Sequence, residues 1–161
     1  MSKVITVSRQ FPAHHLKKGQ PTFFVEKICN SLLMAGGSIY TDNTPVDFLQ
    51  SLSKDFFNAK HHTIRAGKRW KTGDKASIRV CSDKPYRSPQ IAIAPDVEIV
   101  VKDIEWNVDG MIIDGVHFPY SRFEEIAKND GLSELEMIDW FRDSLPFSGQ
   151  ILIWNNNNLP Y

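Results

Sequence analysis

The sequence predicts an α+β fold, on the strength of two kinds of segment. β-branched or apolar runs bounded by turn residues read as strands: Val4 to Ser8, Thr63 to Arg65, Ile78 to Cys81, Gln90 to Ala94, Val97 to Val101 and Gly149 to Trp154. Segments with helical apolar spacing and start signals lie between them, notably after Pro21-Thr22 and after Ser133. At 161 residues the chain reads as a single domain over 1–161, with a helical elaboration at about 21–55. That length buries a sizeable core.

Taken in order, Val4 to Ser8 leaves its strand through Arg9-Gln10-Phe11-Pro12, and Pro12 to Gly19 is a loop. His14 and His15 in that loop are adjacent, so their rings point apart. No Cys or carboxylate stands nearby at ligand spacing, and no metal site is expected. From Pro21-Thr22 a helix places Phe24, Val25, Ile28 and Leu32 on one face and stops at Gly36-Gly37. Asp42-Asn43-Thr44-Pro45 caps a second helix with Val46, Leu49 and Leu52 as its buried stripe. Beyond Cys81, Ser82 to Pro89 is a turn-rich basic loop. Trp106 to Gly115 alternates turns with Met111-Ile112-Ile113, and His117-Phe118-Pro119 returns to loop, with His117 in a structural role. Arg122 to Lys128 is a short amphipathic helix. Ser133 then caps a helix from Glu134 to Arg142, with Glu136 completing a capping box and Leu135, Ile138 and Trp140-Phe141 turned inward.

Composition narrows the class. No run approaches the roughly eighteen apolar residues that a membrane helix requires, and residues 1–10 lack a signal-peptide core, so a cytoplasmic protein without a membrane partner is expected. Cys29 and Cys81 have no metal-type spacing and read as buried structural thiols. Net charge is zero, but its distribution is uneven. Residues 54–87 hold ten Lys or Arg against three Asp, whereas residues 96–143 hold thirteen acids against four bases. Such asymmetry suggests one basic face on an otherwise acidic domain, or two halves that neutralise each other across the fold.

The densest chemistry lies in Lys60-His61-His62-Thr63-Ile64-Arg65, followed by Ala66-Gly67-Lys68-Arg69-Trp70-Lys71-Thr72-Gly73-Asp74. On a strand, Thr63 and Arg65 share one face while His62 and Ile64 share the other. Lys60 joins the Thr63 side if the chain bends there. Spacing alone fits either a site or a solvated sheet edge.

With Asn58-Ala59 in front and Gly73-Asp74 behind, this segment resembles the signature of the ASCH-domain family, small β-barrel proteins related to PUA domains. That signature runs Gly-x-Lys-x-x-(Glu or Thr)-x-Arg, then a basic or aromatic stretch, then Gly-Asp and a strand. Lys60, Thr63, Arg65 and Gly73-Asp74 match. The first glycine is Asn58, a mild departure because Asn tolerates left-handed backbone. Asn129-Asp130-Gly131-Leu132-Ser133, entering the helix that carries Trp140-Phe141, resembles the acidic segment of larger members. The two matches cover 58–81 and 122–153, about a third of the chain.

The resemblance implies a small PUA-like mixed β-barrel with helices packed at its side and mouth, and no metal or organic cofactor. Enzymatic members of the family are amidohydrolases acting on acylated cytidine through a Lys, a Thr three residues later and an acid from the later segment. By motif these are Lys60 and Thr63, with Asp130 as the first choice of acid and Glu125 or its neighbour Glu124 as the second. A threonine hydroxyl needs a base to become a nucleophile, and a lysine serves when burial and neighbouring cations lower its pKa. Arg65, Lys68 and Arg69 are the cations in reach, and Arg65 is also suited to a phosphate or a developing oxyanion. The resemblance equally implies a non-catalytic RNA-binding module. Lys68, Arg69, Lys71, Lys75, Lys84 and Arg87 would then contact phosphates, and Trp70 and Tyr86 would stack on bases. Trp70 alternatively plugs the barrel end. The expectation is recognition of RNA or a modified nucleoside in a cleft lined by Lys60, Thr63 and Arg65, with hydrolysis as its extension. A protein-interaction or regulatory domain is the competing class.

Overall fold

The computed structural model describes residues 1–40, 59–84, 87–156 and 159–161. The helix expected from Asp42 onward, Asn58 and Tyr86 lie outside the described residues.

Among the described residues nine strands form two sheets, one mixed and one antiparallel, with three helices packed against them. The first sheet holds β1 (Lys3–Val7) parallel to β3 (Lys75–Cys81), whose other edge pairs antiparallel with β4 (Gln90–Ala92) and β5 (Val97–Glu98). The second runs β2-β9-β6-β7-β8 and is antiparallel throughout: β2 (His62–Ala66), β9 (Phe147–Ile153), β6 (Val100–Asn107), β7 (Gly110–Ile113) and β8 (Val116–Phe118). The chain crosses between sheets at Ile99, fully buried between β5 and β6. The α+β class is therefore observed. The described strands are not closed into a barrel by hydrogen bonds: β1 and β2 face each other without pairing, and the Arg65 guanidinium bridges that seam by donating to the Thr6 carbonyl.

Helix α1 (Phe24–Met34) starts where the sequence signals it, by a less direct route. Its N-cap, Phe23, sits in the left-handed region at φ 56° and caps nothing with its side chain. Thr22 does that work instead: its hydroxyl accepts from the Phe24 amide and donates to the Ser8 carbonyl. Gly36, at φ 79°, closes the helix as the Gly37 amide reaches back to the Leu32 carbonyl. Helix α2 (Phe123–Asn129) buries Phe123, Ile126 and Ala127. Helix α3 (Glu134–Phe141) opens with the expected Ser133–Glu136 capping box. Its inward stripe differs from the expectation. Met137 and Phe141 are buried, Ile138 and Trp140 half-buried, and Leu135 is exposed. Asp139 is buried on the flank, where it accepts from the Leu16 amide.

One loop assignment is also corrected. His117 and Phe118 belong to strand β8, because Asp114 (φ 47°) and Gly115 (φ 81°) form a two-residue turn of the kind that closes a hairpin. Asp-Gly between apolar runs is the strongest short hairpin signal, and it outranks the Pro119 that follows. The core gathers Trp106, Phe123, Met137, Phe141 and Phe147 under the second sheet, and Ile5, Val7, Ile28 and Ile78 around the first. Cys29 and Cys81 are both buried free thiols, and burial pushes Cys29 up to about 12.

The second sheet has a close backbone approach between β9 and β2. Gly149 pairs with Ala66 across β9 and β2, and a Cβ there would stand 2.1 Å from the Arg65 carbonyl oxygen. Gly149→Ala is expected to destabilise by about 2–3 kcal/mol, as an overpacked core does. Differential scanning calorimetry checks this, with a fall in Tm of roughly 4–10 °C for a domain of this size.

Candidate functional site

Lys60 lies just before β2, and three elements clamp its backbone. Its amide donates to the Lys27 carbonyl of α1, the His61 amide to the Asn129 carbonyl at the end of α2, and the Trp154 indole to the Lys60 carbonyl from beyond β9. The side chain is then almost wholly buried, at 1 % exposure. Its Nζ donates to Asp130 Oδ1 at 2.9 Å and to the Asp130 carbonyl at 2.6 Å, and stands 4.3 Å from the centroid of the Phe24 ring. A buried ammonium requires such compensation. Asp130 caps α2, and Gly131 after it, at φ 79°, makes a left-handed turn that packs against the lysine stem. A Cβ on Gly131 would stand 3.1 Å from that of Lys60.

Lys60, Thr63, Arg65 and Asp130 line one cavity of about 50 Å³, together with Ser8 and Phe24. That volume holds a few waters or the end of a ligand. Thr63 is buried, and no hydrogen bond to a described residue occupies its hydroxyl. Beyond the Ser8 wall lies a cavity of about 770 Å³ lined by Arg9, Phe11, Ser82 and Lys84. Beyond Phe24 lies one of about 290 Å³ lined by Arg9, Phe23 and Glu26.

Burial drives the electrostatics. It lowers Lys60 from its ordinary value, and Arg65 and Lys27 push the same way, against the upward pull of Asp130. Burial alone would raise Asp130, but the Lys60 charge and His62 outweigh it and hold the carboxyl below its usual range. The result is a buried amine and a buried carboxylate, each held below its ordinary value, with a hydroxyl on the same cavity. Such a set suits proton transfer to and from a polar ligand atom.

The other expected residues lie elsewhere. Glu125 and Glu124 are exposed on α2, Glu125 paired with Arg122 at 3.4 Å, and neither lines the cavity. Lys68 is on the surface, 2.9 Å from Asp103, so part of the basic segment is neutralised by the acidic half. Arg69 is exposed, and Trp70 is a buried plug at 6 % exposure rather than a free ring. Lys84 and Arg87 are exposed in the β3–β4 loop. His14 and the buried His15 bond to the Trp140 and Glu136 carbonyls, which ties the first loop to α3. His117 contacts the Asp109 carbonyl at the β6–β7 turn. Among the described residues no cluster of His, Cys, Asp or Glu is arranged to hold a metal ion.

Two residues beside the pair escape sequence reasoning. His62 is fully buried, with Nδ1 3.3 Å from Asp130 Oδ1, and its Nε2 is 2.5 Å from the Tyr161 hydroxyl. Strand alternation puts His62 on the face opposite Thr63, and no local signal says that Asp130 spans both. No protein-family model matches the chain, and neither a curated protein nor a solved structure matches it.

Breaking the buried pair leaves an uncompensated charge. Asp130→Asn is expected to cost about 3–5 kcal/mol in urea denaturation, and Lys60→Met added to it to restore more than half of the loss. The histidine gives a pH signature. Burial lowers His62 from its ordinary value of 6.5, so the folded state favours the neutral ring. Its stabilising contribution is complete above that value and is lost as pH falls through the lower folded one. Tm measured from pH 7.5 to 5 is expected to fall, and His62→Gln to flatten the fall.

Proposed function

We propose that this chain is an amidohydrolase of the ASCH type, acting on an acylated nucleoside or the same acylated base in RNA. The observation that supports this reading is the convergence of Lys60, Thr63 and Asp130 on one cavity, with the lysine buried and depressed. The matching spacing of Lys60, Thr63, Arg65 and Gly73-Asp74 adds to it. So does the mixed β architecture, which on this reading is a PUA-like barrel opened at the β1–β2 seam.

The acyl end enters the small cavity, and the larger body of the ligand lies in the neighbouring clefts, whose size suits a nucleoside. Neutral Lys60 takes the Thr63 proton as Oγ adds to the acyl carbon, and Arg65 balances the oxyanion. The C–N bond breaks as Lys60 returns that proton to the leaving amine. Water then hydrolyses the Thr63 ester, releasing the carboxylic acid and restoring the hydroxyl. Asp130 accepts from Lys60 throughout and orients it.

The test is incubation with acetylcytidine, following cytidine by chromatography. Thr63→Val, which keeps the shape and removes the hydroxyl, is expected to lower kcat/KM by about 100-fold or more without changing Tm, and Lys60→Met to do the same to activity. Absence of turnover by the unaltered protein at high concentration would overturn the hydrolytic reading. The exposed cations Arg69, Lys84 and Arg87 favour non-catalytic RNA binding as the second reading. RNA retention that falls steeply with salt, without turnover, would select it.

A further inference from the structure

The polar groups behind Asp130 form a directed chain. Asn129 Nδ2 donates to the Tyr161 hydroxyl at 3.0 Å, and that hydroxyl lies 2.5 Å from His62 Nε2. His62 Nδ1 then faces Asp130 Oδ1 at 3.3 Å, without good hydrogen-bond geometry and with no other partner. Asp130 Oδ1 already accepts from Lys60. The Tyr161 ring stands edge-on to both His62 and Phe118, so the hydroxyl is held in place by its own packing.

Donors and acceptors allow one consistent assignment. The Asn129 amide donates into the Tyr161 oxygen, which leaves the hydroxyl proton free for His62 Nε2. An imidazole that accepts at Nε2 carries its proton on Nδ1, the atom that faces the carboxylate at 3.3 Å. The opposite tautomer would set the Nδ1 lone pair against Asp130 Oδ1, a repulsion between buried groups that nothing nearby relieves. The phenol therefore selects the ring tautomer.

We propose that Tyr161 and His62 are positioning residues: Tyr161 fixes His62 as the Nδ1–H tautomer, and His62 in turn aligns Asp130 as the acceptor for Lys60. The charged and titratable groups facing His62 are Asp130, Lys60 and Tyr161, with His61 next to it along the chain. The assignment stands on the hydrogen bond at Nε2 and on the carboxylate that faces Nδ1. Only its kinetic consequence rests on the hydrolytic reading of the site.

Long-range proton–nitrogen correlation NMR of the full chain reads the tautomer directly, with the His62 signals identified by their loss in His62→Gln. At pH 7.5 the unaltered protein is expected to show a neutral ring protonated on Nδ1. Tyr161→Phe, which keeps the ring and removes one oxygen, is expected to shift it toward Nε2–H. An Nε2–H ring in the unaltered protein, or an Nδ1–H ring unchanged in Tyr161→Phe, would overturn the proposal. If acetylcytidine is turned over, Tyr161→Phe is expected to lower kcat about tenfold with KM unchanged and to move the pH profile. Unchanged kcat beside a shifted tautomer would overturn the positioning role while leaving the hydrolytic reading intact. A protein without turnover leaves the NMR result to decide the tautomer.

Discussion

The buried Lys60–Asp130 pair is the constraint around which this structure is arranged. An ammonium without water is tolerated only when its donors are met, and Asp130 meets two of them, one through its carboxylate and one through its carbonyl. Satisfying that demand ties together segments far apart in the sequence. The start of β2, the end of α2, the first helix through Phe24 and Lys27, and Trp154 beyond β9 all close on Lys60. Gly131 turns the chain left-handed against the lysine stem. A buried ion pair contributes little net stability compared with apolar packing, although breaking one is costly.

The pair also sits beside the unpaired β1–β2 junction. The two sheets share a covalent corner at Ile99, yet β1 and β2 meet without pairing their backbones, and Arg65 spans the gap. A sheet edge left unpaired needs cover or a purpose. Here the seam opens onto the cavity, and Arg65, Thr63 and Ser8 stand along it. Arg65 thus serves both as a bridge across the seam and as a wall of the site. The larger cavities beyond Ser8 and Phe24 lie on the side of the β3–β4 loop, where Lys84 supplies positive charge.

The charge pattern resolves into something more local than two opposed faces. Lys68 meets Asp103 and Lys60 meets Asp130, each pairing the basic segment with the acidic half. Arg69, Lys84 and Arg87 remain exposed. Sequence asymmetry over tens of residues therefore overstated the basic surface, because charges separated in sequence neutralise one another in space.

Much was determined by the sequence itself. Strands β1, β3 and β9, helix α1 and the capping box of α3 follow from β-branched runs, helical spacing and Ser-x-x-Glu, all signals contained within a few residues. The motif resemblance also drew Lys60, Thr63 and Arg65 into one expected site, with Asp130 the first choice of acid ahead of Glu125 or Glu124, and all four line the cavity. Tertiary structure decided the rest. It exposed Glu125 and Leu135 and buried Trp70. It also brought Tyr161 to His62 across 99 positions. Local sequence sets backbone preference and which face a residue takes on its own element. Which groups share a buried volume depends on how elements distant in the chain pack, and only there does a strand histidine become the neighbour of a helix-end carboxylate.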